Sequence, residues 1–249
     1  MQRLKTLFTY LLAAVFLIIL WHLASVYVNK PFLPRPFIAL KELFLLFGQG
    51  ILTEHFLISI YRVVISTVMA FIFAVPLGML LGRNEKLDSF FAPLIYILYP
   101  LPKVVFLPIL VVFLGLGNAP KVVLITLVVF FQLLVTVRDA ARAVPYESLQ
   151  VMYSLNASGW QIYRHLIWPS CLPDVLTSLR IALGTAIAIL FLAETFASQN
   201  GLGYLILDSM EKRDYGEMYA AIIAMGLLGL LLYEVVDLLE KRFVKWRRL

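Results

Sequence analysis

Six long apolar runs, at residues 7–28, 55–81, 90–114, 121–137, 175–197 and 218–239, constrain this chain more than any motif does. A helix needs roughly 20 apolar residues to cross a bilayer, and most of these runs are of that length. The 249 residues are 62% hydrophobic and 14% charged, whereas a soluble domain is nearer half apolar and about a quarter charged. The expected fold class is therefore an all-α membrane protein of six transmembrane helices, with residues 1–249 forming a single transmembrane domain. A cleaved signal peptide at the start is disfavoured. The run at 7–28 is longer than a signal's apolar core, and no A-x-A-like site follows it.

Six spans place both termini on one side. If that side is the cytoplasm, the inner segments carry Arg3, Lys5, Arg83, Lys86, Arg138, Arg142, Arg164, Lys241, Arg242, Lys245, Arg247 and Arg248. The outer segments carry Lys30, Arg35, Lys41, Lys121, Lys212 and Arg213. Twelve against six favours cytoplasmic termini by the excess of basic residues in cytoplasmic loops. In the bilayer setting the net charge of +6 is a matter of orientation, and no nucleic-acid partner is expected. Residues 31–50 begin with prolines at 31, 34 and 36, which forbid a continuous helix there. Beyond them Phe37, Leu40, Phe44 and Phe47 recur at helical spacing, which predicts an amphipathic helix on the outer surface or against the bundle.

One stretch departs from the apolar pattern. Residues 154–173 read SLNASGWQIYRHLIWPSCLP and fall in the loop 138–172. Pro145 suits the first turn of a helix, and Leu149, Met152, Tyr153 and Leu155 give that helix a mostly one-sided apolar face. Asn156 then suits the left-handed conformation that ends many helices. Ser158-Gly159-Trp160-Gln161 has the S-x-x-Q form of a capping box, in which each side chain satisfies a free N–H of the other residue. A second helix follows, with Trp160, Tyr163, Leu166 and Ile167 on one side, and Pro169 and Pro173 are expected to end it. The pattern alone is equally compatible with an interfacial helical hairpin.

Chemistry of other kinds finds little support. The lone Cys171 makes no internal disulfide, His22, His55 and His165 lack metal-ligand spacing, and no GxxxxGK[ST] phosphate loop occurs. His22 and Ser25 lie too close in sequence to form the facing walls of an intramembrane active site. Among ionisable residues within spans, Arg62 is expected to snorkel outward, and Arg180 is close enough to a span end to do the same. Arg180 and Glu194 are separated by close to four helical turns, roughly 21 Å of axis, and are expected on one interior seam. Lys103, beside Pro100 and Pro102, either offers a cation to an anionic substrate or is held in an aqueous crevice or paired to a carbonyl. Gln132 and Thr126 are polar members of the fourth run, suited to helix–helix hydrogen bonding. Gly115 with Gly117, and Gly201 with Gly203, read as turns.

The loop resembles the cytoplasmic EAA loop of ABC-importer membrane subunits, whose pattern is EAA, three residues, Gly, nine residues, then I-x-L-P. Here Gln150-Val151-Met152, Asn156 and Leu166-Ile167-Trp168-Pro169 occupy those positions at the same spacing. The loss of the motif's Glu is offset by Glu147, one helical turn earlier. FLPRPFIAL (32–40), VPLGMLLGR (75–83), YPLPKVVFLPILVVFLGLG (99–117), LPDVLTSLRIALG (172–184) and AETFASQNGLGYLI (193–206) extend the resemblance, in order, to the nitrate/taurine/sulfonate-type branch. The resemblance implies a multi-pass permease of the bacterial inner membrane that is not itself an enzyme. It also implies a coupling helix that docks on a cytoplasmic ATPase through Glu147, Gln150, Asn156, Ala157, Ser158, Gly159 and Trp160. ATP and Mg would be used by that partner, and no cofactor is expected in this chain. An extracytoplasmic binding protein and a second permease copy complete the implied assembly. Lys103, Gln132, Arg180 and Glu194 are the pathway candidates, with Glu194 at an outer gate or its support. A small sulfonate-like anion is the implied substrate; a vitamin-precursor heterocycle and a stand-alone secondary carrier are the alternatives.

Overall fold

The computed structural model describes residues 2–245, with side chains described for residue 9 and residues 12–245. Arg247 and Arg248, and the side chains of Arg3 and Lys5, which enter the charge count above, lie outside the described residues. The described residues form helices and no strands. These are α1 (Gln2–Val28), α2 (Pro36–Gly48), α3 (Ile51–Arg83), α4 (Glu85–Leu98), a 3₁₀ turn (Lys103–Phe106), α5 (Leu107–Leu114) and α6 (Asn118–Arg142). They continue as α7 (Tyr146–Ser154), α8 (Gly159–Ile162), a π-helical turn (Tyr163–Ile167), α9 (Trp168–Thr195), α10 (Leu202–Glu211) and α11 (Tyr215–Phe243).

Among the described residues four continuous helices are long and apolar enough to cross a membrane: Ile51–Arg83, Asn118–Arg142, Gly159–Thr195 and Tyr215–Phe243. The run expected to cross at 90–114 is instead broken. Glu85–Leu98 and Lys103–Leu114 meet at 81°, and they make a fifth crossing if counted as one span. The cause is local, because Pro100 and Pro102 both lack the N–H that would continue the helical ladder across the junction. The first expected span corresponds to α1, whose apolar stretch among the described residues is Leu12–Val28.

Prolines act differently at the loop. The predicted stop at Pro169 and Pro173 does not occur, and helix runs without interruption from Gly159 to Thr195. The π-helical turn at Tyr163–Ile167 ends one residue before Pro169, with Trp168 between them. Its wider winding relieves the contact a proline ring makes with the carbonyl four residues earlier. Pro173 sits inside α9, where Thr177 Oγ1 donates to the Pro173 carbonyl at 2.9 Å.

The chain divides into two compact units, Met1–Ile58 with Gln199–Gly226, and Ser59–Ser198 with Leu227–Leu249. In the first, α2 forms over the stretch where an amphipathic helix was expected. It buries Pro36, Ala39, Leu43 and Leu46, while Phe37 and Phe44 are exposed. The small Ala39 and the two leucines pack closely on neighbours, which leaves the phenylalanine stripe outward. Trp21 of α1 stacks on Tyr219 at the start of α11, ring centroids 5.3 Å apart. Gly201 (φ 108) ends the turn expected after the fifth run, and Gly203 already lies inside helix α10.

In the second unit α3, α6 and α9 form the centre. Gly78 and Gly82 let α3 approach α6 closely: a Cβ on Gly78 would lie 2.9 Å from the Leu134 carbonyl, and one on Gly82 2.3 Å from the Arg138 carbonyl. Small residues four apart give this backbone-to-backbone fit in membranes. A core of Val75, Met79, Val137, Ala141, Cys171 and Val175 continues into the loop through Leu149, Ile162 and Ile167. Leu149, Ile162 and Ile167, which belong to the loop, each contribute about 1.5–3 kcal/mol when fully buried from water. The helices of the loop are therefore rooted in the membrane helices.

Candidate functional site

The loop is built by two consecutive caps. At the end of α7 the Asn156 N–H donates to the Tyr153 carbonyl at 2.9 Å and the Ala157 N–H to the Met152 carbonyl at 3.0 Å, with Asn156 at φ 53. This is the Schellman closure, with asparagine in the left-handed position the sequence reading assigned it. Two residues on, the Ser158 N–H donates to Gln161 Oε1 at 2.7 Å and the Gln161 N–H to Ser158 Oγ at 3.4 Å. The capping box is thus complete, and α8 starts at Gly159.

The hairpin has an inner and an outer face. Leu149, Ile162 and Ile167 enter the core, and Ala157 and Met152 pack against it. Outward lie Glu147, Gln150, Asn156, Ser158, Gly159 and Trp160, all exposed, with Trp160 at 72%. Tyr153 and Leu155, read from the pattern as part of one apolar face with Leu149 and Met152, are exposed beside them, together with Val151 and Tyr146. The result is a rigid knuckle that presents aromatic and aliphatic side chains with one carboxylate.

The charged residues within the spans pair in ways that local pattern does not reveal. Arg62 does not snorkel. It is buried in α3, its Nη1 2.7 Å from Oε1 of Glu194 on α9, and its Nε donates to Oδ1 of Asn118 at 2.9 Å. Ser59 Oγ donates to the same carboxylate, 2.8 and 2.9 Å from its two oxygens. Ser66 Oγ lies 2.6 Å from the Arg62 carbonyl and 3.0 Å from the Val122 carbonyl. Lys121, counted above as an outer-loop charge, is also buried, and its Nζ donates to the Gly117 carbonyl at 2.9 Å and the Ala197 carbonyl at 3.3 Å. The network ties α3, the start of α6 and the end of α9 together. An ion pair removed from water is held only when its remaining hydrogen-bonding capacity is met, and Ser59 and Asn118 help to meet it.

Arg180 has a separate environment from Glu194. It pairs with Asp237 at 3.3 Å and with Glu240, both on α11, and its guanidinium lies 5.2 Å from the Tyr233 ring. Lys103 donates to the carbonyl of Tyr99 at the break between α4 and the 3₁₀ turn, 5.3 Å from the Tyr99 ring and 4.9 Å from that of Phe131. The carbonyl partner among the readings of Lys103 is present. Gln132 keeps its Oε1 buried without a partner among the described residues, and Thr126 donates to the Ser66 carbonyl at 3.3 Å. The four pathway candidates are therefore not gathered into one cluster.

Sequence reasoning did not anticipate the partners Ser59 and Asn118, which carry no local signal. It also missed the clamp between α4 and α6, in which Asp88 accepts from Arg138 Nε and from Arg138 Nη2 at 2.8 Å, with Arg142 at 3.4 Å. The Gly78-x-x-x-Gly82 spacing was a readable signal for the α3–α6 contact.

Comparison with known proteins accords with this geometry. Residues 74–249 match the family described as binding-protein-dependent transport system inner membrane component. A putative ABC transporter permease protein of Methanocaldococcus jannaschii is 31% identical over 93% of this chain and 89% of its own length. The taurine transport system permease protein TauC of Escherichia coli is 29% identical over 94% of this chain and 87% of its own. The putative aliphatic sulfonates transport permease protein SsuC of Bacillus subtilis is 29% identical over 88% and 80%. In fold, a chain of the MetNI methionine ABC transporter, solved in inward-facing conformations, superposes with a TM-score of 0.69 at 19% identity, covering 77% of this chain and 95% of that one. The chain, a multi-pass protein of the inner membrane, belongs to the inner-membrane permease components of binding-protein-dependent ABC transport systems.

Proposed function

We propose that this importer permease works as one of two identical copies, and that the knuckle at residues 145–162 is the part through which a cytoplasmic ATPase drives it. As a permease of this family the chain is the non-catalytic membrane subunit, and ATP hydrolysis is done by a separate chain. The observation that carries the reading is the two-faced build of the knuckle. Its inner side shares a core with α3, α6 and α9, and its outer side exposes Trp160, Leu155, Tyr153 and Glu147. A force applied outside is then transmitted to the membrane helices, because the packed interior resists compression. Trp160 is the anchor, since aromatic side chains tend to dominate interface energetics. Glu147 supplies the carboxylate that position 150 lacks. Both termini and the knuckle face the cytoplasm, and an extracytoplasmic binding protein delivers the solute.

The substrate is a small sulfonate-like anion. This is supported by the likeness to TauC and SsuC. Lys103, held at a break in a membrane helix between two aromatic rings, adds to it. Irregular backbone at membrane depth is tolerated where it is buried in protein or lines a water-filled cavity, and the break at Tyr99–Pro102 is exposed in the single chain. A second copy facing this break creates such a lining.

The test is to extract the tagged chain gently from its native membrane and identify what co-purifies. A phosphate-loop ATPase bound to the wild type and lost on Trp160→Ala or Asn156→Pro is the expected result. An intact, folded wild-type chain that repeatedly emerges without an ATPase overturns the coupling role. Uptake of labelled taurine by the reconstituted assembly, compared with an uncharged solute of similar size, tests the substrate class.

A further inference from the structure

We infer that the first unit carries a binding site for the phosphate group of an anionic phospholipid, in a basic cavity where α1, α2 and α11 meet. The cavity, about 710 Å³, is lined by Lys30, Arg35, Lys212 and Arg213, with Asp214 as its carboxylate. Asp214 is already engaged, since its Oδ1 accepts the Glu217 N–H at 3.0 Å and so caps α11. Lys212 is paired with Asp208. Lys30, Arg35 and Arg213 have no carboxylate partner among the described residues. The recess thus carries an excess of positive charge, four cations against the one carboxylate that lines it.

The local build holds these cations in place. Asn29 ends α1 at φ 46, which turns the chain so that Lys30 enters the recess. Arg213 ends α10 at φ 60, with its N–H on the Met210 carbonyl at 3.1 Å and the Asp214 N–H on Ser209 at 2.8 Å. The prolines at 31, 34 and 36 fix the third side.

Position in the membrane selects the ligand. The apolar stretch of α1 ends at Val28 and the membrane-crossing helix α11 begins at Tyr215, so both apolar segments terminate at the cavity. The stack of Trp21 on Tyr219 holds those two helix ends side by side. The cavity therefore lies where hydrocarbon gives way to headgroups, and Tyr27 and Tyr215 stand at the level that interfacial aromatics occupy. Val26, Tyr27 and Phe37, within a few residues of the cavity's lining in sequence, are exposed and offer apolar surface for acyl chains. Oxyanion recognition above and apolar contact below match a phospholipid, whereas an acidic soluble partner uses only the upper half. Arginine suits such a site because its fork binds phosphate oxygens bidentately.

The experiment uses the assembled transporter in mild detergent. Short-chain phosphatidylglycerol, phosphatidylcholine of the same chain length and inorganic phosphate are titrated separately while thermal stability is followed. Phosphatidylglycerol should give a saturable upward shift and phosphatidylcholine a much smaller one. Each cation removed should weaken the apparent affinity roughly 5-fold, so Lys30→Gln/Arg35→Gln/Arg213→Gln should abolish the shift, while Lys30→Arg/Arg213→Lys should retain it. Equal shifts with both lipids, or an undiminished shift in the triple Gln variant, overturn the site. A saturable response to inorganic phosphate alone that matches the lipid's overturns the lipid source. Loss of binding-protein association in the triple variant, with no phosphatidylglycerol shift in the wild type, overturns the site in favour of protein docking. If the triple variant does not assemble, a salt series on the wild type decides, since an exposed ionic site weakens with ionic strength and a salt-insensitive shift overturns the inference.

Discussion

Glu194 and Arg62 show how far a single residue's role depends on what lies opposite it. Each is fully buried, and each would be untenable alone in the bundle. Glu194→Ala leaves a buried guanidinium without its anion and should cost about 3–5 kcal/mol, read as a lowered unfolding midpoint of the purified protein. Arg62→Met with Glu194→Leu removes both charges and should recover most of that loss. If the double variant is as unstable as Glu194→Ala, the pair is not the unit that matters. Asn156 is the contrasting case, because its role was readable locally. Asparagine tolerates φ 53 through its short polar side chain. Asn156→Gly should leave knuckle and stability unchanged, while Asn156→Val should strain the turn by about 1–2 kcal/mol, with faster amide exchange at Ala157 and Ser158 as the measurement. The partners of Arg62 were not readable, since Ser59, Asn118 and Glu194 are joined to it by tertiary packing and no spacing rule connects them.

At the level of elements, the caps and the prolines had different degrees of legibility. A capping box is a pattern of four residues with a local geometry, and it formed as read at Ser158 and Gln161. Ser158→Ala should cost about 1 kcal/mol at the start of α8, detected as faster exchange at the Gln161 amide and not in α9. The prolines were read as stops because local sterics say so. Tertiary packing supplied the alternative: Ile162, just before the π-helical turn, and Ile167, its last residue, are both buried in the core, which holds the helix continuous through Pro169. The α3–α6 contact depends on absent side chains. Gly82→Ala places a Cβ 2.3 Å from a backbone carbonyl, and forced separation of the helices should cost roughly 1–3 kcal/mol. Gly184→Ala meets nothing within 4 Å and should be neutral in the same thermal assay. Equal effects at both glycines would mean that the close α3–α6 approach is not what Gly82 serves.

For the whole molecule, orientation is the consequence that charge distribution reaches furthest. Cys171 is buried, so the natural thiol gives a low labelling background in intact cells. A cysteine at Tyr153 should react with a membrane-impermeant maleimide only after permeabilisation, and one at Gln49 should react in intact cells. The reverse pattern inverts the topology and removes the knuckle from any cytoplasmic ATPase. The count of basic residues on which this rests changes with the structure: Lys121 is a buried helix residue bonded to two carbonyls and does not act as an outer-loop charge. Removing it from the outer tally strengthens the inward bias.

Apolar runs of spanning length, the break-prone prolines, the left-handed Asn156 and the capped turn were set by the sequence itself, because each depends on interactions among neighbours in the chain. Residues such as Arg62, Arg180 and Glu194 could be noticed from the sequence only as costly. Their partners lie on other helices, up to 132 positions away for Arg62 and Glu194. Tertiary structure alone decided that one pair would be sealed between α3 and α9, that Arg180 would turn towards α11, and that the loop helix would join α9. Long-range electrostatics and burial govern those outcomes, and neither is encoded in local spacing.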